Sequence, residues 1–337
     1  MSIPYNYQLS TINYQMSNIK SPIIPESQRR VAYINEMIES GRAEELVRDG
    51  EAYHERQLAS IAQEITAREE VRVVLIAGPS SSGKTSTSHK LCLELLNHGK
   101  QPVALSLDNW FLEADDVPAS KNGGADYESV YALDLKLLDE NLNGLIEGRE
   151  VALPTFNFLS GKREYNGETL RLNDGDILVI EGIHALNPLL TEHIPASRKY
   201  KVYAAPMSPV SLDGEHWIPT YVHRLLRRMS RDLRTRGKSP QMTIAQWPSV
   251  REGESKWIEP FQEQADALFD TSMLYELPAI RYAVEAALQT VPAVAEEYKT
   301  AEQLLRYLSF FEGLEAACIP RTSILREFIG GSQFNVG

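Results

Sequence analysis

The sequence predicts an α/β fold, a parallel sheet with helices on both faces and helical additions at either end. Three observations point to it: short β-branched runs, apolar helical stretches between most of them, and a glycine-bounded octet joining the first run to the first helix. The 337 residues are 43% hydrophobic and 24% charged, an ordinary globular composition. That length suits a central domain over 71–275, an N-terminal arm and helical segment over 1–70, and a C-terminal helical extension over 276–337.

The first ~25 residues are polar and aperiodic, as in a loosely ordered lead-in. From Arg29 to Arg68 the pattern is helical, with Leu58, Ile61, Ala62 and Ile65 on one face. His54 has no second ligand at helical spacing and reads as a surface or packing histidine. Val71–Ala77 is a strand buried on both faces. Thr85–His98 reads as a buried helix carrying Leu91, Leu93, Leu95 and Leu96, ended by Gly99. Further strands are expected at Pro102–Leu107, Asp176–Ile180, Tyr200–Ala204 and Ala265–Phe269, with helices over 133–147, 185–193, 217–236 and 279–312. A hairpin-like insertion over 151–172 has turn signals at Ser160-Gly161 and Asn166-Gly167.

A net charge of −12 argues against nucleic acid as a partner. Cys92 and Cys318 are too few and too far apart for a disulfide framework or a zinc site, and Cys92 reads as a small core residue. No apolar run approaches the ~20 residues of a membrane span, and no signal peptide is evident, so a cytoplasmic location is expected.

Gly78-Pro-Ser-Ser-Ser-Gly-Lys-Thr85 fits G-x-x-x-x-G-K-[ST]. Its glycines let successive backbone N–H groups curl inward onto phosphate oxygens. Lys84 supplies charge for the β and γ phosphates, Thr85 a hydroxyl for Mg²⁺, and the next helix its positive dipole end. Gly78, Ser80, Ser81, Ser82, Gly83, Lys84, Thr85 and Ser86 are therefore the candidate nucleotide cradle. No N-K-x-D guanine-reading motif accompanies it.

Two carboxylates follow strands. Asp108 stands past Ala104–Leu107, where it could take a proton from an attacking hydroxyl or hold Mg²⁺ through water; a turn-forming aspartate is the plainer alternative. Glu181 ends Ile177–Ile180 and suits a metal shell, or a cap. Arg224, Arg227, Arg228, Arg231, Arg234 and Arg236 crowd one segment, with Tyr221, Leu225, Met229 and Leu233 as its buried stripe. Like charges three or four apart are mildly destabilising, so the cluster implies a polyanionic partner. A solvated face paired with Asp232 is the plainer reading, favoured for Arg234.

These motifs, with Leu105–Phe111, Val179–Ile183 and Arg227–Gly237, occur in an order that resembles the uridine kinase branch of the uridine kinase / phosphoribulokinase superfamily. The resemblance covers about 71–275. The flanks, Ala52–Leu58 and Ser323–Ser332, resemble a bacterial subgroup of uridine kinase-like (nucleoside) kinases. In many of those proteins threonyl-tRNA-synthetase-related domains precede the kinase, a region expected here to be absent or reduced to the first ~70 residues.

The resemblance implies a P-loop NTPase-type sheet, ATP and Mg²⁺, a small-molecule acceptor, and self-association. It makes Asp108 the general base, with Lys84 and Arg231 catalytic beside it. Thr85, Asp108 and Glu181 would hold the metal, and Arg231 and Arg236 the ATP phosphates. Asp108, Phe111, Glu128, Phe156, Arg228, Lys238 and Gln246 fall on the acceptor side. Several positions depart from the family's pattern. Glu128 replaces an aspartate expected on the ribose hydroxyls, Phe156 a tyrosine near the base, Gly161 a base-reading histidine, and Lys238 an arginine of the lid. A site without those hydrogen-bonding groups selects weakly for one base. ATP-dependent phosphorylation of a hydroxyl on a nucleoside-like acceptor is the leading expectation. A regulatory or RNA-associated P-loop protein with only slow ATP hydrolysis is the alternative.

Overall fold

The computed structural model describes residues 24–119, 124–157 and 160–336; the expected lead-in of the first ~25 residues lies almost wholly outside them. Five parallel strands form the sheet: β1 (Val73–Ala77), β2 (Gln101–Ser106), β7 (Asp176–Glu181), β8 (Lys199–Ala205) and β11 (Ala267–Asp270). Their spatial order is β11-β8-β1-β7-β2. The chain thus leaves β1 for the far edge, returns to β7 beside β1, then passes to β8 on its other side. That reversal opens a crevice at the carboxyl ends around β1, the usual ligand position in open α/β sheets.

Strand pleating divides β1 between two cores. Val74 and Ile76 face one cluster, and Val73, Leu75 and Ala77 the other. The first cluster is covered by α1 (Val31–Glu39), α2 (Ala43–Thr66), α3 (Lys84–Asn97), α5 (Thr220–Thr235), α6 (Pro240–Trp257), α7 (Glu276–Leu288) and α8 (Tyr298–Ser309). The N- and C-terminal helices therefore share one core with one face of the sheet. The second is covered by α4 (Leu135–Ile146) and by the segment carrying β3 (Val151–Ala152), β4 (Thr155–Asn157), β5 (Lys162–Glu164) and β6 (Thr169–Leu170). β4 and β5 pair antiparallel, and so do β3 and β6. A two-stranded ribbon of β9 (Val210–Ser211) and β10 (Trp217–Ile218) precedes α5.

The strands, the insertion and most helices lie where the sequence places them. Three readings need correction. Residues 185–193 form no α-helix: Asn187 caps a 3₁₀ turn over Pro188–Leu190 through its side chain, and turns fill the rest. The span 279–312 is two helices, broken between Leu288 and Tyr298 where Pro292 stands. In α3, Leu91 and Leu95 are buried, but Leu93 and Leu96 are 48% and 46% exposed, because only one stripe meets the sheet. His54 is fully buried, its Nε2 3.0 Å from the Ser272 carbonyl oxygen, so it packs rather than faces solvent. Cys92 packs partly buried against the first core, and burial pushes its thiol up to about 12. Among the described residues no helix is long and apolar enough to cross a membrane.

Candidate active site

The phosphate loop turns from β1 into α3 at Gly78–Thr85. Gly83 adopts φ +90° and Ser81 φ +59°, and this left-handed excursion turns the backbone amides inward. At Gly78 a Cβ would stand 2.0 Å from the Ala204 carbonyl oxygen, so the first glycine is required by the approach of β8. Lys84 Nζ donates to the Pro79 carbonyl at 3.2 Å, folding its side chain back over the loop.

Arg224 and Arg227 hold the loop from beneath. Arg224 Nη1 donates to the Ser80 carbonyl at 3.1 Å and pairs with Glu254, which in turn accepts from the Ser80 N–H at 3.2 Å. Arg227, fully buried, donates to the Ser82 carbonyl at 3.2 Å, to the Thr271 carbonyl at 2.7 Å and to Glu276 at 2.6 and 2.8 Å. These two guanidiniums are therefore neutralised inside the protein, contrary to the expectation that they face a polyanion. The sequence could not show Glu254 and Glu276, which arrive from α6 and α7. Arg234 is solvent-exposed, as expected, and its Nη2 donates to the Glu327 backbone carbonyl at 3.0 Å.

The other three arginines gather around one acid. Asp232, fully buried, lies 3.5 Å from Arg228 Nε, 3.5 Å from Arg231 Nε and 3.7 Å from Arg236 Nη1, without hydrogen-bond geometry to any of them. One carboxylate thus lies among three guanidiniums, with Glu128 a second acid near Arg228. Burial, and then the charge of Arg236, lowers the Arg231 pKa, the signature of a cationic site that gains from an anion. Arg228 also donates to Ser80 Oγ at 2.8 Å.

Asp108 opens a 3₁₀ turn (Leu107–Trp110) just past β2, and Glu181 ends β7 beside it, Ser106 pairing in register with Glu181. Burial raises the Asp108 pKa, against the pull of Lys84, Arg236 and Arg231. Burial, and then the charge of Asp108, pushes Glu181 up to about 7. Thr85 Oγ1 donates to Glu181 Oε1 at 3.1 Å. Lys84, Thr85, Asp108, Glu181, Arg231 and Arg236 therefore share one electrostatic site. A carboxylate whose proton affinity is raised by burial and by the half-buried Asp108, with a hydroxyl donating to it, suits a hard dication. Among the described residues no group of three or more His, Cys, Asp or Glu side chains is placed to hold a metal. Mg²⁺, which usually keeps waters and takes only one or two carboxylates, would draw its remaining ligands from phosphate and water.

Phe111, three residues past Asp108, belongs to an aromatic cluster. Phe111, Tyr127 and Phe156 meet edge to face with centroids 5.5, 5.6 and 6.5 Å apart. Tyr127 was not singled out from the sequence, although it adjoins Glu128. Glu128 Oε1 is 3.8 Å from Arg228 Nη1, while its buried Oε2 has no hydrogen-bond partner among the described residues. Burial pushes this carboxyl up to about 7. A Cβ on Gly253 of α6 would lie 2.3 Å from Glu128 Cβ, so the absence of a side chain there makes room for Glu128. Lys238 Nζ donates to Gln246 Oε1 at 3.0 Å, and both lie toward the surface.

The Phosphoribulokinase / Uridine kinase family profile matches residues 73–276, more than half of the chain. The chain belongs to that family. It is 30% identical over 197 residues to the uridine kinase of Lactobacillus helveticus (strain DPC 4571), covering 58% of this chain and 84% of that one. The uridine kinase of Staphylococcus aureus (strain JH9) is also 30% identical, over 198 residues, covering 58% and 86%. A solved structure described as a possible uridine kinase from Bacillus stearothermophilus is 19% identical, with a TM-score of 0.43, over 64% of this chain and 98% of that chain. Membership makes the chain a member of a kinase family built on a phosphate-binding loop.

Proposed function

We propose that this protein transfers the γ-phosphate of ATP to a hydroxyl of a small, nucleoside-like acceptor, uridine, cytidine or another nucleoside. The supporting observation is the convergence of Lys84, Arg231 and Arg236 on Asp108, beside the Thr85–Glu181 pair. Phosphoryl transfer has little covalent work for a protein to do. It depends on positioning and on offsetting charge on the transferring group.

In this reading the amides of Ser81–Ser86 and Lys84 hold the phosphates, and Arg231 and Arg236 neutralise the oxygens of the moving group. Thr85, Asp108 and Glu181 would hold Mg²⁺, which supplies charge neutralisation at the β and γ oxygens. Asp108 accepts the acceptor's proton. Its raised pKa brings it closer to the operating pH, where a base is most effective, and a base of this kind contributes about 10²–10⁴-fold.

The acceptor side supports a polyhydroxylated ligand with a flat apolar part. Glu128 has an oxygen free to accept, Arg228 stands next to it, and Phe111, Tyr127 and Phe156 supply the stacking and edge contacts. The relatives named above as uridine kinases favour a nucleoside. Gly161 and Phe156 present no side-chain hydrogen bond to a base, so we propose that the sugar is read more strictly than the base. The protein would do this work in the cytoplasm.

A panel of nucleosides and sugars, with ATP consumption as readout, tests the proposal. A kinase shows turnover that depends on one acceptor class. Slow hydrolysis indifferent to every acceptor would overturn it in favour of a nucleotide switch.

A further inference from the structure

The C-terminal segment lies across the phosphate loop. A Cβ on Gly83 would be 2.5 Å from Ile324 Cγ2, so this residue seats directly on the loop's second glycine. Three residues on, Glu327 Oε2 accepts from both the N–H and the Oγ of Ser86, at 3.1 and 2.9 Å. Glu327 is only 5% exposed.

Those donors matter because of where α3 begins. The Thr87 N–H bonds the Gly83 carbonyl at 3.0 Å and belongs to the helix. Ser86 is therefore the last residue of the first turn whose N–H the helix leaves free. A nucleotide on the loop would take those free amides, and the helix dipole favours an anion there. The chain's own carboxylate stands in that place.

The segment is tied to the same helix that carries the phosphate arginines. Arg234 of α5 donates to the Glu327 carbonyl, Ser230 Oγ to the Phe328 carbonyl at 3.2 Å, and the Arg227 guanidinium lies 5.2 Å from the Phe328 ring centroid. Glu327 also contributes charge to the surroundings of Arg231 and of Glu181. Past Gly330 and Gly331, with φ +91° and +74°, Phe334 stacks on His89 at 5.3 Å, one turn along α3 from Ser86.

We propose that Glu327 is an internal anion that competes with the nucleotide for the Ser86 amide and hydroxyl, so that the C-terminal segment is an autoinhibitory latch. The proposal rests on the nucleotide reading given above. Ile324, Leu325 and Phe328 are fully buried and anchor the segment, so the exchange is a movement of the Glu327 side chain that loosens only the residues after Phe328. A carboxylate and a phosphate cannot share one N–H, and their like charges repel across a buried site. Nucleotide binding is then taxed by the fraction of molecules with the latch closed.

The test is calorimetric binding of Mg-ATP and Mg-ADP to the full chain and to Glu327→Gln, Glu327→Ala and Lys84→Ala. The latch predicts that both Glu327 variants bind each nucleotide about tenfold more tightly, a gain of about 1.4 kcal/mol. Unchanged or weaker binding in both variants overturns it. Lys84→Ala separates the two claims: if it binds ATP as well as the unaltered protein, the loop reading fails, whatever Glu327 does. Should the Glu327 variants not fold, hydrogen exchange on the unaltered protein decides. Amides of 329–336, beyond the buried anchor, are expected to exchange faster with Mg-ATP bound, and unchanged or slower exchange there overturns the latch.

Discussion

Replacing Arg227 by Met should destabilise the protein by about 3–5 kcal/mol and weaken ATP binding by a separate route. Burial would raise the Glu276 carboxyl, yet Arg227 and His223 hold it down at about 2. Against an ordinary 4.5, that shift corresponds to about 3 kcal/mol of stability at neutral pH. Removing one partner of a buried pair typically costs 3–5 kcal/mol, because the other charge is left uncompensated. The double variant Arg227→Met with Glu276→Leu removes both charges and should recover most of that loss. It should not recover nucleotide affinity, since the Ser82 carbonyl still lacks its donor and the loop is no longer held from beneath. Urea denaturation measures the first effect and calorimetric ATP binding the second. A single-variant loss below about 1 kcal/mol would refute the electrostatic argument. Full affinity in the double variant would refute the positioning argument.

Three further outcomes follow from the same geometry. Gly78→Ala places a methyl group against the Ala204 carbonyl, so ATP affinity should fall at least tenfold and the melting temperature should drop. Gly253→Ala pushes on Glu128 and should raise the acceptor KM severalfold with the KM for ATP little changed, a split visible in steady-state kinetics. Glu128 and Glu181 both have pKa values raised to about 7, so the folded state binds protons more tightly than the unfolded state. Stability from these groups is present below about pH 4.5 and is lost as pH rises toward 7. The protein without nucleotide should therefore lose a few kcal/mol from these groups over that interval, and Mg-ATP should flatten the slope. Thermal melts at a series of pH values, with and without Mg-ATP, check this.

The sheet and the phosphate loop were legible because their signals are local. A β-branched run, a glycine octet and a helix need no distant partner to be recognised, and Asp108 and Glu181 are marked by standing past strand ends. The arginine segment shows what sequence spacing leaves out. Six guanidiniums in one segment look alike in the sequence, yet Arg224 and Arg227 meet Glu254 and Glu276 inside the protein. Arg228, Arg231 and Arg236 gather instead around the single Asp232. Spacing along a helix gives the face but not the acid that folds against it. Similarly, Leu93 and Leu96 are helix-forming residues on a solvent stripe, and Pro188 after a capping Asn187 holds its segment to a 3₁₀ turn. Glu327 stands in the sequence only as one residue of Ser323–Ser332, since nothing near it in sequence shows that it reaches Ser86.

The role of Asp108 is tested most directly by single-turnover phosphorylation of a responsive acceptor by Asp108→Asn, with ATP binding measured on the same sample. Loss of the base predicts a fall in rate of at least about 10²-fold with ATP affinity within a few-fold of the unaltered protein. Product formation at a near-normal rate would contradict the assignment of Asp108 as the base.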